Sequence, residues 1–517
     1  MALIIILITI TLVFITRYLW IWSYWIRKGV VGPRGRPFFG VLDQLLEHEK
    51  PGVLQLAEWT KQFGPVYGIT DGTQKTLVVS DPDMVHEIFV KQFDNFYGRK
   101  LNPIQGNPEK DQRVHLLAAQ GHRWKRLRTI SAPSFTNGNL RKLMGTVEDS
   151  MVELMRHIEK KTADGQQIDM LKFYQEFTMD VIGRVAMGQT DTQMFKNPIL
   201  DVVRDIFCGS RKNLMLICQV FPPIGTAIRN LTFKFPKIGS PAFKLYSLVE
   251  QSVIRRIDQR EADKRKGIDP GEPQDFIDLF LDAKSDVDFG KEANEDFTKR
   301  NMRVTKELTA EEVVGQCFLF LIAGFDTTAL SLSYATYLLA THPEVQQKLQ
   351  EEVDREVSGA DVTFEELGKL KYMELVMKEA LRMFPLASIS NSRRCMRTTT
   401  VGGQLIEEGC QVQIDTWTMH YNPEIWGDDV AEFKPERWEN TSEEQLVQKG
   451  AYIPFGMGPR QCIGMRLAQL EQKIVLAHIL RKYTLEPGNM TRIPLKLVGS
   501  ATTSPEDVYL HLRPRVL

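Results

Sequence analysis

Two short stretches of this 517-residue chain carry residues whose types and spacing could do chemistry. The first is Phe455-Gly456-Met457-Gly458-Pro459-Arg460-Gln461-Cys462-Ile463-Gly464, a cysteine set among small residues. Residues 465–483 follow with helical periodicity, which places Cys462 at or just before a helix start. Unpaired N–H groups and the dipole at such a terminus lower a thiol pKa, so the expectation is a thiolate prepared as nucleophile or metal ligand. A nucleophile would want a general base, and no histidine lies near Cys462 in sequence. The competing reading is a small buried cysteine without chemical consequence. A dinucleotide-binding loop is excluded, because the sixth position of G-x-G-x-x-G is Gln461.

The second stretch is Ala323-Gly324-Phe325-Asp326-Thr327-Thr328, at the centre of a helix predicted over 309–341. Thr309 and Glu312 make a T-x-x-E capping box, Leu308 and Val313 are placed for a hydrophobic staple, and Pro343 opens the next helix. From Val313 to Ala340 the only charge is Asp326, so the helix crosses either a membrane or the middle of a large protein. Its polar centre favours the protein interior. The Thr327 hydroxyl reaches the Ala323 carbonyl, which loosens a helix. Gly324 lets something large approach the backbone, and Asp326 beside Thr327 offers a proton relay. A buried helix passing over a cofactor accounts for all of this.

The remainder of the chain must hold these two stretches together. Lys+Arg and Asp+Glu each number 65, so no net field draws the chain to nucleic acid, and no nucleic-acid partner is expected. Six cysteines without a C-x-x-C pair argue against a disulfide scaffold and a zinc ribbon, and suit a reduced, cytosol-facing body. Length alone suggests about three domains, and one large core fits equally well. Residues 1–26 are uncharged to Ile15 and resume an apolar course past Arg17 through Trp20, Trp22 and Trp25. They predict a signal-anchor transmembrane helix. Arg27 and Lys28 follow, which puts the rest of the chain in the cytosol by the positive-inside rule. Neither a basic leader nor an A-x-A-like site marks a cleaved signal peptide. Residues 27–40 include Gly32-Pro33-Arg34-Gly35-Arg36-Pro37 and read as a stiff hinge. Residues 41–517 read as a cytosolic catalytic domain. Within it, 66–80 predicts a hairpin around Asp71-Gly72, 401–414 a second strand region, and 284–307 a charged, solvated connection. The fold class is mainly α with small β-sheets.

The segment around Cys462 matches F-x-x-G-x-R-x-C-x-G at every fixed position, and in this the chain resembles the cytochrome P450 superfamily, whose haem-ligand signature it is. The central helix matches [A/G]-G-x-[D/E]-T-[T/S], Glu379-Ala380-Leu381-Arg382 matches E-x-x-R, and Trp124-Lys125-Arg126-Leu127-Arg128 matches W-x-x-x-R. Phe433-Lys434-Pro435-Glu436-Arg437-Trp438 resembles P-E-R-F with Trp in the last place. E-x-x-R alone is nearly worthless; five motifs in order, over essentially the whole chain, are specific. The stretches 124–136 and 323–349 are most similar to the microsomal clan of families 3 and 13.

The resemblance implies a cytochrome P450 fold with an N-terminal transmembrane helix, and haem b (iron protoporphyrin IX) with Cys462 as its axial thiolate and metal ligand. Arg99, Trp124, Arg128 and Arg460 would bind the haem propionates, Phe455 would pack beside the sulfur, and Gly458 would let the loop approach the haem. Asp326 and Thr327 would be catalytic, delivering protons. Glu379, Arg382 and Arg437 would form a buried ionic cluster that supports the haem loop. Between Pro385 and Arg393 the family often supplies another propionate donor; here either Asn391 substitutes or the contact is absent. The implied reaction is monooxygenation of apolar small molecules (xenobiotic, steroid or fatty-acid-like), with electrons from NADPH through NADPH–cytochrome P450 reductase, a separate flavoprotein, and with cytochrome b5 as a second partner. The reductase is expected on the face beneath Cys462, near Lys125, Arg126 and Lys473, and the protein in the endoplasmic reticulum membrane with a single pass. Substrate specificity is expected around 100–118, 206–240, 386–391 and 499–503. Two other classes stay open: a reductase-independent haem-thiolate isomerase of a lipid peroxide, since the clan resembles thromboxane synthase, and a non-catalytic haem-binding protein.

Overall fold

The two longest apolar stretches both fold as helices and have opposite surroundings. In the computed structural model, which describes residues 1–101, 107–108, 111–208, 212–235, 241–269, 271–273, 275–283, 308–439 and 441–515, six helices matter to the site. They are α1 (Ala2–Trp22), α2 (Gly121–Ser131), α3 (Met170–Met187), α4 (Ala310–Thr341), α5 (Lys371–Met383) and α6 (Met465–Lys482). In its most apolar part, α4 is 72% buried inside the protein and α1 only 6%. So α4 is a core helix, and α1 keeps an apolar surface that the protein itself does not cover. The predicted connection at 284–307 lies outside the described residues, as do parts of 100–118 and 206–240.

The capping box predicted for α4 is formed: Thr309 accepts from the Glu312 N–H while the Glu312 side chain accepts from the Thr309 N–H. Helix α4 packs most closely on α3. Two details fix that contact. Thr178 on α3 donates to the Phe325 carbonyl at 2.8 Å. A Cβ at Gly324 would lie 2.9 Å from the Ile182 side chain, so the glycine admits this neighbour. The close approach read from the sequence is therefore at least partly helix-to-helix. Val313, Phe325, Leu332 and Ala335 are buried in the same core, each large apolar side chain contributing about 1.5–3 kcal/mol.

The principal sheet has four strands in the order β1 (Val66–Asp71), β2 (Gln74–Val79), β4 (Gln411–Ile414), β3 (Ser392–Arg394). The predicted hairpin is β1–β2, registered Val66↔Val79 to Asp71↔Gln74, and Gly72 takes φ +63° in its turn. The second strand region divides between the small hairpin Thr399–Val401/Gln404–Ile406 and β4, which runs parallel to β2. Residues after α1 lie against this sheet: Trp25 Nε1 donates to the Ile69 carbonyl at 2.7 Å, and the Gly68 N–H donates to the Val31 carbonyl at 2.8 Å. The fold is mostly helical with minor sheets, as the sequence predicts.

Candidate active site

Between α4 and the loop that precedes α6 lies a cavity of about 280 Å³, lined by Ala323 and Thr327 of α4, Trp124 and Arg128 of α2, and Phe455 and Cys462 of the loop.

The loop is folded back on itself by the Cys462 N–H donating to the Phe455 carbonyl at 2.8 Å. Gly456 and Gly458 take φ +70° and +67°, where L side chains are strained. At Gly458 a Cβ would lie 2.3 Å from the Phe89 carbonyl oxygen. The glycine's room is thus taken by that backbone, which corrects the expectation that it serves approach to a haem. Cys462 faces the cavity, two residues before the Gly464 cap of α6, and the N–H groups of Gly464 and Met465 donate to its sulfur. Desolvation by the surrounding protein raises the thiol pKa, while the N–H groups of Gly464 and Met465, with Arg128 and Arg99, work against it and lower the pKa as expected at a helix start. A cation placed at the sulfur would supply what the helix end does not.

Four guanidinium groups converge on one end of the cavity. Arg99 donates to the Ser390 carbonyl, Arg460 to the Tyr97 and Ala119 carbonyls at 2.8 and 2.6 Å, and Arg393 to the Ser392 carbonyl at 2.8 Å. Arg128 lines the same cavity, and the Arg460 guanidinium stands 4.6 Å over the Trp124 ring. Among the described residues, Nε of Arg99, Nε of Arg393, and Nε and Nη1 of Arg460 are buried with no acceptor. Burial first, and then repulsion within the set of four (Arg128 on Arg99, Arg99 and Arg460 on Arg393, Arg99 and Arg128 on Arg460), pulls Arg99, Arg393 and Arg460 below the usual range. Unsatisfied buried cations on this scale call for an anion. The donor set would fit a group carrying two carboxylates, and Cys462 in the same cavity would offer it a sulfur ligand.

Arg393 was not singled out from sequence. The side-chain NH₂ of Asn391 is spent on Thr416 Oγ1 at 3.0 Å and the Ile453 carbonyl at 3.1 Å. The orphan donor on this segment is therefore Arg393, brought in by β3. Nothing local distinguishes it from Arg394, which the strand alternation turns outward.

The catalytic candidates divide. Thr327 lines the cavity and donates to the Ala323 carbonyl at 2.6 Å. Asp326 is buried behind it, accepts from Thr502 Oγ1 at 2.7 Å, and is pushed up to about 6 by burial. A second carboxyl, Glu471 on α6, does line the cavity, and burial pushes it up to about 8. The signal for it was a lone acid on a helix face otherwise buried with Leu467, Leu470 and Ile474. A carboxyl with a folded pKa above its unfolded value of roughly 4.3 contributes stability that is fully present below that value and is lost as pH rises to about 8. Glu471→Gln is expected to flatten the fall in melting temperature between about pH 5 and 8. A variant with the wild-type pH slope would show that Glu471 is not held neutral.

Glu379, Arg382 and Arg437 meet as predicted. Glu379 takes Arg382 Nε and Nη2 at 2.8 Å each and Arg437 Nε at 2.9 Å. Trp438 Nε1, in the place of the usual Phe, adds a donor at 3.0 Å. The link to the loop is His420, which sequence reasoning missed. Its Nε2 accepts the Ile453 N–H at 3.2 Å, so Nδ1 carries the proton and donates to the Arg382 carbonyl at 3.1 Å. Burial holds the ring neutral, down at about 3.

Of the docking candidates, Arg126 is paired with Glu312, and Lys473 with Glu374 at 2.7 Å and the Leu367 carbonyl at 2.8 Å. Lys125 is half-buried on α2. On the same side, a groove lined by Lys378, Arg466, Lys473, Glu374 and Phe455 opens to solvent.

The cytochrome P450 family model matches residues 30–512. Among curated Caenorhabditis elegans proteins, one named "Putative cytochrome P450 CYP13A2" is 73% identical over 503 residues, covering 97% of this chain and 96% of the relative. Two more, named in the same way CYP13A4 and CYP13A5, are each 60% identical over 97% of this chain and 97% and 96% of their own lengths.

Proposed function

The chain belongs to the cytochrome P450 family and is a haem-thiolate monooxygenase, and on that premise we propose that it oxidises apolar small molecules with electrons from NADPH delivered by NADPH–cytochrome P450 reductase at a membrane. The observation that carries this is the meeting, in one cavity, of Cys462, four arginines of which three have orphan donors, and the Ala323–Thr327 face of α4. Cys462 would hold the haem iron, and Arg99, Arg128, Arg393 and Arg460 with Trp124 would hold its propionates. When bound, the haem supplies the activation of O₂ and the oxidising power that one side chain cannot. The chain's own part is to fix that group and close water out. It also moves protons: Thr327 at the cavity wall, with Asp326 behind it as the acid, suits proton delivery. The apolar lining, with Leu319, Phe320 and Leu386, suits a hydrocarbon-rich substrate.

The membrane reading rests on α1 and on what it touches. Phe14 stacks on Phe221 at 5.3 Å between ring centres, and Tyr18 tilts on Phe38 at 5.4 Å. Beyond Phe221, the helix Pro222–Lys234 and the residue after it expose Ile224, Leu231 and Phe235. A bilayer would cover these side chains together with α1. We read residues 1–26 as the anchor, 27–40 as the hinge and 41–517 as the cytosolic enzyme, with the solvent-open groove near Lys378 and Arg466 as the face offered to a reductase or cytochrome b5.

The test is reconstitution of the full chain in phospholipid vesicles with and without the reductase, offering lauric acid and a steroid under ¹⁸O₂, and 7-ethoxycoumarin with its deethylation followed by fluorescence. Expected is hydroxylated lauric acid or steroid carrying one labelled oxygen, or deethylated coumarin, dependent on both reductase and NADPH. Rearrangement of a lipid endoperoxide without reductase, and no labelled product with it, would identify an isomerase.

A further inference from the structure

The loop 499–503 is tied to α4 at two points. Thr502 Oγ1 donates to Asp326 Oδ2 at 2.7 Å, and Tyr334 Oη donates to the Thr503 carbonyl at 2.8 Å. Asp326 and Tyr334 are eight residues apart, a little over two turns, and so share one face of the helix. The same loop lies against Pro51, Ile389 and Leu386, and Leu386 also lines the main cavity. One short loop thus touches the edge of the substrate space and the acid behind Thr327.

What else meets Asp326 sharpens the point. On α3, Gln175 offers it a neutral amide while accepting from Arg204 Nε at 3.0 Å. On α4 the titratable neighbour is Tyr334, whose ionisation Asp326 opposes. Among the described residues no cation pairs with the Asp326 carboxylate, and the Thr502 hydroxyl is the charged form's hydrogen-bond donor from outside the helix layer.

We infer that Thr502 is a positioning residue for proton delivery, holding the Asp326 carboxyl toward the 499–503 loop so that substrate fit against that loop is felt at the acid. This rests on the proton role given above to Asp326 and Thr327. It assigns Thr502 no contact with the reacting atoms.

The test uses the haem-loaded full chain and its T502V, T502S and D326N variants, each checked for a wild-type carbon monoxide spectrum. Infrared difference titration assigns the Asp326 carboxyl band by its absence in D326N. In T502V that band is expected to titrate about one pH unit higher, the size of one lost hydrogen bond to a carboxylate; in T502S it stays. Product formed per NADPH, measured with whichever of lauric acid or 7-ethoxycoumarin the wild type oxidises, is expected to fall several-fold in T502V and recover in T502S. An unmoved titration in T502V overturns the inference, and so does a moved titration with unchanged product per NADPH. Wild-type product per NADPH in D326N would instead remove the proton role of Asp326.

Discussion

Cys462→Ala is expected to abolish the thiolate-type Soret shift of the dithionite-reduced, carbon monoxide-treated protein, and to take turnover to background. The sulfur is the one soft ligand at the cavity floor, placed there by the Cys462-to-Phe455 backbone bond and the two glycines before it. Serine or water in its place would not give iron the electron donation of a thiolate. Haem retention is a separate matter. The arginine set is untouched by the substitution, and its orphan donors still demand an anion. We therefore expect Cys462→Ala to keep part of its haem while losing the spectrum, so spectrum and haem content come apart. A wild-type protein that binds haem without the shift would remove Cys462 as ligand, and with it the oxygen chemistry proposed here.

What the sequence made legible was what local chemistry determines. The capping box at Thr309, the hairpin about Gly72 and the start of α6 each depend on residues a few places apart, and each formed as expected. The motif around Cys462 was legible because its glycines and cysteine act within one loop. The balance of effects on that thiol was not, since desolvation, which no spacing encodes, works against the helix end. Arg393, His420, Glu471 and Thr502 were missed for a common reason. Each earns its place through a partner from another part of the chain: the cavity for Arg393 and Glu471, Ile453 for His420, Asp326 for Thr502. Arg126 and Lys473 show the converse, since a basic residue read as surface charge turns out to be half of an internal pair.

Glu379→Gln is expected to cost more than any other single change outside the cavity. Both Glu379 and Arg382 have no exposed side-chain surface, and the carboxylate receives Arg382 twice, Arg437, Trp438 and the Lys434 N–H. An amide there turns one acceptor into a donor facing donors, leaves Arg382 without its counter-charge and leaves Arg437 with Asp429 alone. Breaking a buried pair from one side costs about 3–5 kcal/mol, against a total of about 5–15 kcal/mol for a typical domain. The damage has a direction. Arg382 Nη1 donates to the His420 carbonyl at 2.9 Å, and its own carbonyl fixes the His420 tautomer that accepts the Ile453 N–H at the head of the cysteine loop. Arg382→Lys keeps the charge and loses the planar fork, so it cannot serve Glu379 and His420 at once. Both variants should yield mainly haem-free protein with a lowered melting temperature. Whatever holoprotein forms should show part of the reduced carbon monoxide band shifted away from the thiolate position. A Glu379→Gln protein with full haem content and a wild-type spectrum would mean that the loop holds its shape without the cluster, and that the His420 link is incidental.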